Sequence, residues 1–322
     1  MKSQSKDILQ KYGVVSILII LFIFFSIKSP TFLSVGNIFN ILRQTSVTGI
    51  IALGMTIVML TGGIDLSSGA VVGISSIVCS YFMVNTGMNY VVAIIISILT
   101  GCLVGIINGF LITYIKIPPL IATLGTQTAI RGICFIVTNG YTIYGFPTKF
   151  SKIGQGYIGK IPMPVIIMVI TLAIGWYVIN KTKFGRYLYA IGGNSEASRL
   201  SGINVNLRHM MAYAISGGLA AMAGVIELSR LSSGQPSAGV GYEMTAITAV
   251  VLGGISVSGG QGKFSGVIFG ILIMGILSSG LVMLNVSTYY QQLIKGLVLL
   301  FAVSVDQILK LNLLSRNNRI RS

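Results

Sequence analysis

Apolar runs of bilayer-crossing length recur along the chain, separated by short polar or glycine-rich segments. A helix that crosses the hydrocarbon core takes about 20 residues. By that measure the pattern predicts ten spans: residues 12–27, 44–60, 67–84, 90–113, 120–138, 162–180, 210–229, 243–258, 265–284 and 289–309. The eighth is short and runs into Gly253-Gly254 and a glycine-rich stretch to Gly262. The strongest turn signals are Ile117-Pro118-Pro119, Phe146-Pro147 and Gln235-Pro236. The pattern therefore predicts an all-α polytopic membrane protein, with residues 1–322 forming a single transmembrane domain.

Composition agrees with lipid as the solvent. Only 9% of the 322 residues are charged and 53% are hydrophobic, against about 25% charged in soluble proteins. The net charge of +16 would suggest nucleic acid in a soluble domain. Here the basic residues fall mainly between apolar runs, where they orient the protein and meet anionic lipid headgroups. No basic patch is interleaved with aromatics, so nucleic-acid binding is not expected. With the amino terminus inside, the inner segments carry 14 Lys and Arg. The outer segments carry six: Lys28, Arg43, Lys149, Lys152, Lys160 and Arg230. That bias places both termini in the cytoplasm.

The amino terminus resembles a secretory signal, with Lys2, Lys6 and Lys11 before an apolar run. Lys28-Ser29-Pro30 follows where a small-residue cleavage site would stand, so an uncleaved first span is expected. Cys79, Cys102 and Cys134 lie in apolar runs without metal-ligand spacing and read as small buried hydrophobes. The single His209, beside Arg208, reads as a headgroup-level surface residue, and the lone Trp176 as an interfacial anchor. No zinc, flavin or nucleophile-elbow pattern appears, so no metal, cofactor or catalytic residue is expected. Gly259-Gly260-Gln261-Gly262-Lys263 has Val257 and Phe264 where a phosphate-binding loop needs Gly and Ser or Thr. It reads instead as a tight cytoplasmic turn. A path through the membrane must then work passively, by an ion gradient, or on energy from a partner.

The most unusual polar feature is Leu60-Thr61-Gly62-Gly63-Ile64-Asp65-Leu66-Ser67, set in an apolar stretch from Val47 to Val84. A glycine pair breaks a helix or lets backbones approach, and a carboxylate in hydrocarbon is costly. No cation lies within helical reach of Asp65. It either accepts hydrogen bonds from free N–H groups at a helix break or lines a solute pathway. Thr61, Gly62, Gly63, Asp65, Ser67, Asn108, Gln44 and Glu243 are the candidate pathway residues, and the polarity of Thr61, Ser67, Asn108 and Gln44 suits a neutral, sugar-sized solute. Gly62-Gly63-Ile64 and Ser68 to Ile74 are echoed, in parallel orientation, by Gly253-Gly254-Ile255 and Ser265 to Ile271. This is either a duplicated helix pair or coincidence among abundant small residues.

The most polar segment, Lys181 to Arg208, contains a short capped helix. Asn194 or Ser195 can accept from the first free N–H groups, Glu196 suits the positive end, and Gly202 the C-terminal stop. Ala197 and Leu200 fall on one face. Too short to be stable alone, the helix would become firm when docked into a partner, or it could lie on headgroups.

Thr61 to Ser67 and Gly185 to Val205 resemble the ribose-type permeases of bacterial ATP-binding-cassette importers. So do Ala223 to Ser232, Gln235-Pro236, Gly241-Tyr242-Glu243, Ala249 to Gly254, Asn37 to Leu42 and Leu120 to Gly125. The resemblance covers nearly the whole chain in order. It departs at Ser68, where a bulkier residue is expected. The branch includes carriers of other small sugars and of a furanone-like signalling molecule. The resemblance implies about ten transmembrane helices and a homodimer or pseudo-dimer of permeases. It also implies two ATPase domains below, a sugar-binding protein above, and location in the inner, cytoplasmic membrane. Asn194, Ser195, Glu196, Ala197, Arg199, Leu200 and Gly202, between spans six and seven, would form a cytoplasmic coupling helix seated in the ATPase. The runner-up is an ion-coupled secondary transporter using Asp65, Glu227 and Glu243. A membrane-embedded enzyme comes third, since no nucleophile–base pair stands out.

Overall fold

The computed structural model describes residues 2–321, with side chains described for 14–305, 307 and 308. The chain runs α1 (Lys2–Lys28), α2 (Val35–Leu60), α3 (Ser68–Val84), α4 (Tyr90–Thr113), α5 (Pro119–Thr138) and α6 (Thr148–Gln155). A two-residue hairpin follows, β1 (Tyr157–Ile158) and β2 (Ile161–Pro162), then α7 (Met163–Lys181), α8 (Lys183–Gly193) and α9 (Ser195–Leu200). Last come α10 (Val205–Leu231), α11 (Tyr242–Leu252), α12 (Phe264–Met283) and α13 (Thr288–Arg321). Among the described residues, α2, α4, α5, α7, α10 and α12 are long and apolar enough to cross a membrane. Val14–Lys28, α3 and α11 are shorter apolar helices. The protein is α-helical and polytopic. Of the basic residues counted for orientation, the side chains of Lys2, Lys6, Lys11, Lys310, Arg316, Arg319 and Arg321 lie outside the described ones.

Several boundaries differ from the sequence expectation, each for a local reason. Helix α2 begins at Val35 rather than 44, because Ser34 Oγ accepts from Asn37 N at 3.3 Å and starts a polar but regular first turn. Helix α11 ends at Leu252 rather than 258. Gly254 adopts φ +85°, and Ile255 N donates back to Val250 O, a closed C-terminal turn. Helices α6 and α8 and the hairpin are too short or too polar to register as spans. His209 is half-buried near the start of α10 rather than exposed.

The glycine echo recurs in the backbone, shifted by one residue. Helix α2 closes as α11 does: Gly62 has φ +83°, Gly62 N donates to Met59 O and Gly63 N to Val58 O. The counterpart of Gly62 is thus Gly254, not Gly253. The two helix ends adjoin, with Gly260 N donating to Leu60 O at 3.0 Å.

Helix α2 lies in the centre of the bundle. It is buried from Ile50 to Leu60 and packed by α7, α10, α11 and α12. The most extensive helix contact is between α4 and α10, where Gly101, Gly105 and Gly109 recur every fourth residue. A Cβ at Gly109 would come within 2.7 Å of Met210 Cα, and one at Gly105 within 2.8 Å of Ala214 Cα. Helices in lipid gain nothing from burying apolar surface against each other, so small residues that admit dispersion contacts between backbones drive this pairing. Large apolar side chains such as Leu99, Ile121, Ile170 and Leu297 are left exposed on the outer helices, as a lipid-facing surface requires.

Candidate functional site

Polar side chains inside the bundle fall into three groups. The first surrounds Asp65, in the break between α2 and α3, and is fully buried. Asp65 Oδ1 accepts from Ser67 N at 3.0 Å and Ser67 Oγ at 2.6 Å, and Oδ2 accepts from Ser216 Oγ on α10 at 2.7 Å. Asn108 on α4 donates to Ser67 Oγ at 2.9 Å, and Thr126 on α5 donates to Asn108 Oδ1 at 2.6 Å. The carboxylate therefore has donors on both oxygens, and one network joins the break to three helices. A buried polar network is stable only when its members are satisfied, as these are. Gly54 makes room for it, since a Cβ there would meet Ser216 Cα at 2.9 Å.

Glu243 stands apart, in the first turn of α11. Gln127 Nε2 donates to its Oε1 at 3.1 Å, while Oε2 has no partner among the described residues. Beside it Arg131, the one Arg inside a predicted span, donates to three carbonyls: Pro236 O at 2.8 Å, Ala238 O at 2.7 Å and Gly69 O at 3.1 Å. It fastens the 232–241 linker to α3. Gly69 and Gly73 leave the space that Glu243 and Arg131 occupy.

Glu227, named for the ion-coupled alternative, is engaged within the protein. Arg230 Nη2 and Nε approach its oxygens at 2.9 and 3.1 Å, and Tyr242 OH donates at 2.9 Å. Alongside this pair a cavity of about 190 Å³ opens between α2, α10, α11, α12 and α13, and Gln44 lines it. Thr61 Oγ1 donates to Val58 O of its own helix at 2.7 Å. The eight candidate pathway residues thus separate into the Asp65 network (Asp65, Ser67 and Asn108), the α2 end (Thr61, Gly62 and Gly63), the Glu243 cluster and the cavity.

The polar segment after α7 forms α8 and α9. Asn194 Oδ1 accepts from Ala197 N at 2.9 Å and starts α9; Gly202, at φ +83°, ends it. Arg199 Nε donates to Glu196 Oε2 at 3.2 Å, and a second bond from Arg199 Nη2 completes an exposed pair. That pairing holds the Glu196 carboxyl below the usual carboxylate range. Ser195, Ala197 and Leu200 are exposed, Leu200 at 78%. Behind α9, Tyr189 OH donates to Gly262 O at 3.0 Å, and a Cβ on Gly192 would lie 3.0 Å from Gly259 C.

A polytopic helical bundle with a buried polar network is the architecture of a multi-pass membrane protein, and the comparisons identify it as a permease. A family model for the permease component of branched-chain amino acid transport systems matches residues 37–303, and the chain belongs to that family. It is 48% identical over 302 residues to the ribose import permease protein of Bacillus subtilis (strain 168), covering 93% of this chain and 94% of that one. Identity to the ribose import permease protein of Escherichia coli (strain K12) is 44% over 293 residues, 90% and 91% of the two chains. With the galactose/methyl galactoside import permease protein of the same strain it is 36%, over 93% and 95%. No solved structure matches. The protein is a multi-pass permease of a bacterial cell membrane.

Proposed function

We propose that the chain is the permease of an ATP-binding-cassette importer for a monosaccharide, with ribose the first candidate. The observation that carries this reading is the 44–48% identity, over nine-tenths of the chain, to import permeases named for ribose. Identity falls to 36–37% for those named for galactose and allose. The family model takes its description from amino-acid systems, but the graded identity favours a sugar.

In this reading residues 1–322 form one transmembrane domain. Helices α1 to α5, α7 and α10 to α13 supply ten spans with both termini in the cytoplasm. Helix α9 is the coupling helix, docked into a separate ATPase through Ala197 and Leu200. Two permease copies pair in the lipid, and a sugar-binding protein docks on the outer face. Support comes from the exposure of α9 and from Gly192 and Tyr189 on the preceding α8, which set α8 against the end of α2 and the loop after α11. The ion-coupled alternative loses ground because Glu227 is paired with Arg230 and Asp65 is hydrogen-bonded on both oxygens.

Reconstitution separates the two. Ribose uptake into proteoliposomes should require the ATPase, the binding protein and ATP, and the purified permease alone should hydrolyse nothing. Uptake driven by a proton or sodium gradient with the permease alone would overturn the importer reading.

A further inference from the structure

The 190 Å³ cavity lies between α2, α10, α11, α12 and α13, and the residues from α10, α11 and α13 come from the helix ends on one side of the bundle. Gln44 and Thr48 come from the middle third of α2, Arg230 from the last turn of α10, and Thr245 from the first turn of α11. Ser278 comes from the last third of α12, and Gln291 and Lys295 from the first third of α13. The ends of α10, α11, α12 and α13 adjoin the linkers 232–241 and 284–287, which the proposed topology places outside.

We infer that this cavity is a solute-binding subsite, within each permease copy, for a small neutral polyol of monosaccharide size; the inference rests on the importer reading above. Among the described residues, the Gln44 amide, the Ser278 hydroxyl and the Lys295 ammonium have no hydrogen-bond partner, and all three converge on the space. Gln291 spends its amide N–H on Val286 O at 2.8 Å and leaves its carbonyl oxygen free. Thr48 and Thr245 donate back to Thr45 O at 3.2 Å and Gly241 O at 3.1 Å, leaving hydroxyl lone pairs for the cavity. Unpaired polar groups in an apolar bundle are costly, and a ligand with several hydroxyls satisfies donors and acceptors together.

Size and charge narrow the class. The volume lies below the range of about 300–1,000 Å³ that holds drug-sized ligands, so the occupant is small. Among the described residues no free carboxylate faces the space, because Glu227 is engaged by Arg230 and Tyr242; with Lys295 present, a cation is disfavoured. A single ammonium among amides and hydroxyls matches a neutral hydroxylated solute better than an anion, which would draw more than one free cation. The room depends on Gly275, where a Cβ would strike Thr45 Oγ1.

The test uses Ser278→Cys permease in lipid nanodiscs, labelled by a small thiol reagent, against wild type carrying only Cys79, Cys102 and Cys134. Ribose at millimolar concentration should slow labelling several-fold, and ribonate and choline should not. In the full importer, Ser278→Trp should cut ribose uptake by about fivefold or more, the scale of one or two lost hydrogen bonds. ATP hydrolysis stimulated by loaded binding protein should persist in that variant. Stronger protection by ribonate than by ribose would overturn the neutral-polyol assignment. Unprotected labelling together with normal uptake by Ser278→Trp would overturn the subsite. Neither result touches the importer reading, which stands or falls on the ATP and binding-protein requirement of wild-type uptake.

Discussion

Gly260 N donates to Leu60 O at 3.0 Å, so the loop after α11 is fastened to the last residue of α2. Gly192, at the end of α8, closes the same junction: a Cβ there would overlap Leu60 O and come within 3.0 Å of Gly259 C. Three chain segments meet backbone to backbone, with no side chain between them to yield. In the coupling reading proposed above, a displacement of α8 and α9 would reach the end of α2 and the loop after α11.

Gly192→Val should therefore break this relay while leaving the outer half of the bundle intact. The expected result is reduced ribose uptake per ATP hydrolysed in the reconstituted importer. Gly193→Ala is the control, because nothing lies within 4 Å of a Cβ there. Equal coupling ratios for Gly192→Val and wild type would show the junction to be passive.

The Asp65 network makes a graded prediction. Asp65→Asn still accepts at one oxygen and should retain part of the transport. Asp65→Leu strands the Ser67 N–H and the Ser216 hydroxyl in a buried site, and each stranded group costs about 1–3 kcal/mol. Transport and membrane abundance should both fall. Ser216→Ala, which removes one donor, should destabilise by about 1 kcal/mol, measured by unfolding in mixed micelles. Wild-type stability for Asp65→Leu would show the carboxylate to be incidental.

Close packing of α4 on α10 predicts a sharp positional contrast. Gly105→Leu pushes its side chain into the α10 backbone at Tyr213 and Ala214 and should abolish accumulation of folded protein. A Cβ at Gly132 on α5 meets nothing within 4 Å, so Gly132→Leu should be tolerated. Fluorescence-detected size exclusion of the two variants reads the difference directly. Similar profiles would mean that this helix contact contributes little.

The long apolar runs made the helical class and most helices legible, because hydrocarbon demands about 20 apolar residues in register. Polar starts were not legible in the same way: Asn37, Asn40, Arg43 and Gln44 lower the hydropathy at the start of α2, although Ser34 caps it. Asp65 stands out as an isolated carboxylate, yet its partner Ser216 lies 151 residues away, and nothing local in the chain announces that contact. Arg131 is visible as a charge inside a span, but its three carbonyl partners are set by tertiary packing. The four-residue spacing of Gly101, Gly105 and Gly109 is a sequence signal for close helix contact that could have identified the α4–α10 pair. The cap at Asn194 and the left-handed Gly202 were readable because both act within a few residues.

The exposed α9 gives the sharpest test of coupling. A six-residue helix is held by its cap, its ion pair and its left-handed stop, and whatever docks on it meets Ala197 and Leu200. Leu200→Asp changes only an exposed side chain, so the fold should survive while capture of the ATPase subunit falls. Glu196→Lys places like charge beside Arg199 and weakens the positive end of the helix, with the same direction of effect. Because Arg199 depresses the Glu196 carboxyl, the pair forms above that lowered range and is lost only as pH falls through it. Assembly should then be unchanged over roughly pH 6 to 8, well above the ordinary Glu value. Gly202→Val should be worse than Gly202→Ala: both meet open space, but at φ +83° a β-branched residue is the more strained. Cysteines at 196 or 197 should crosslink to the ATPase subunit and react only from the cytoplasmic side. Labelling of those cysteines from outside intact cells would overturn the orientation, the ten-span arrangement and the coupling role together.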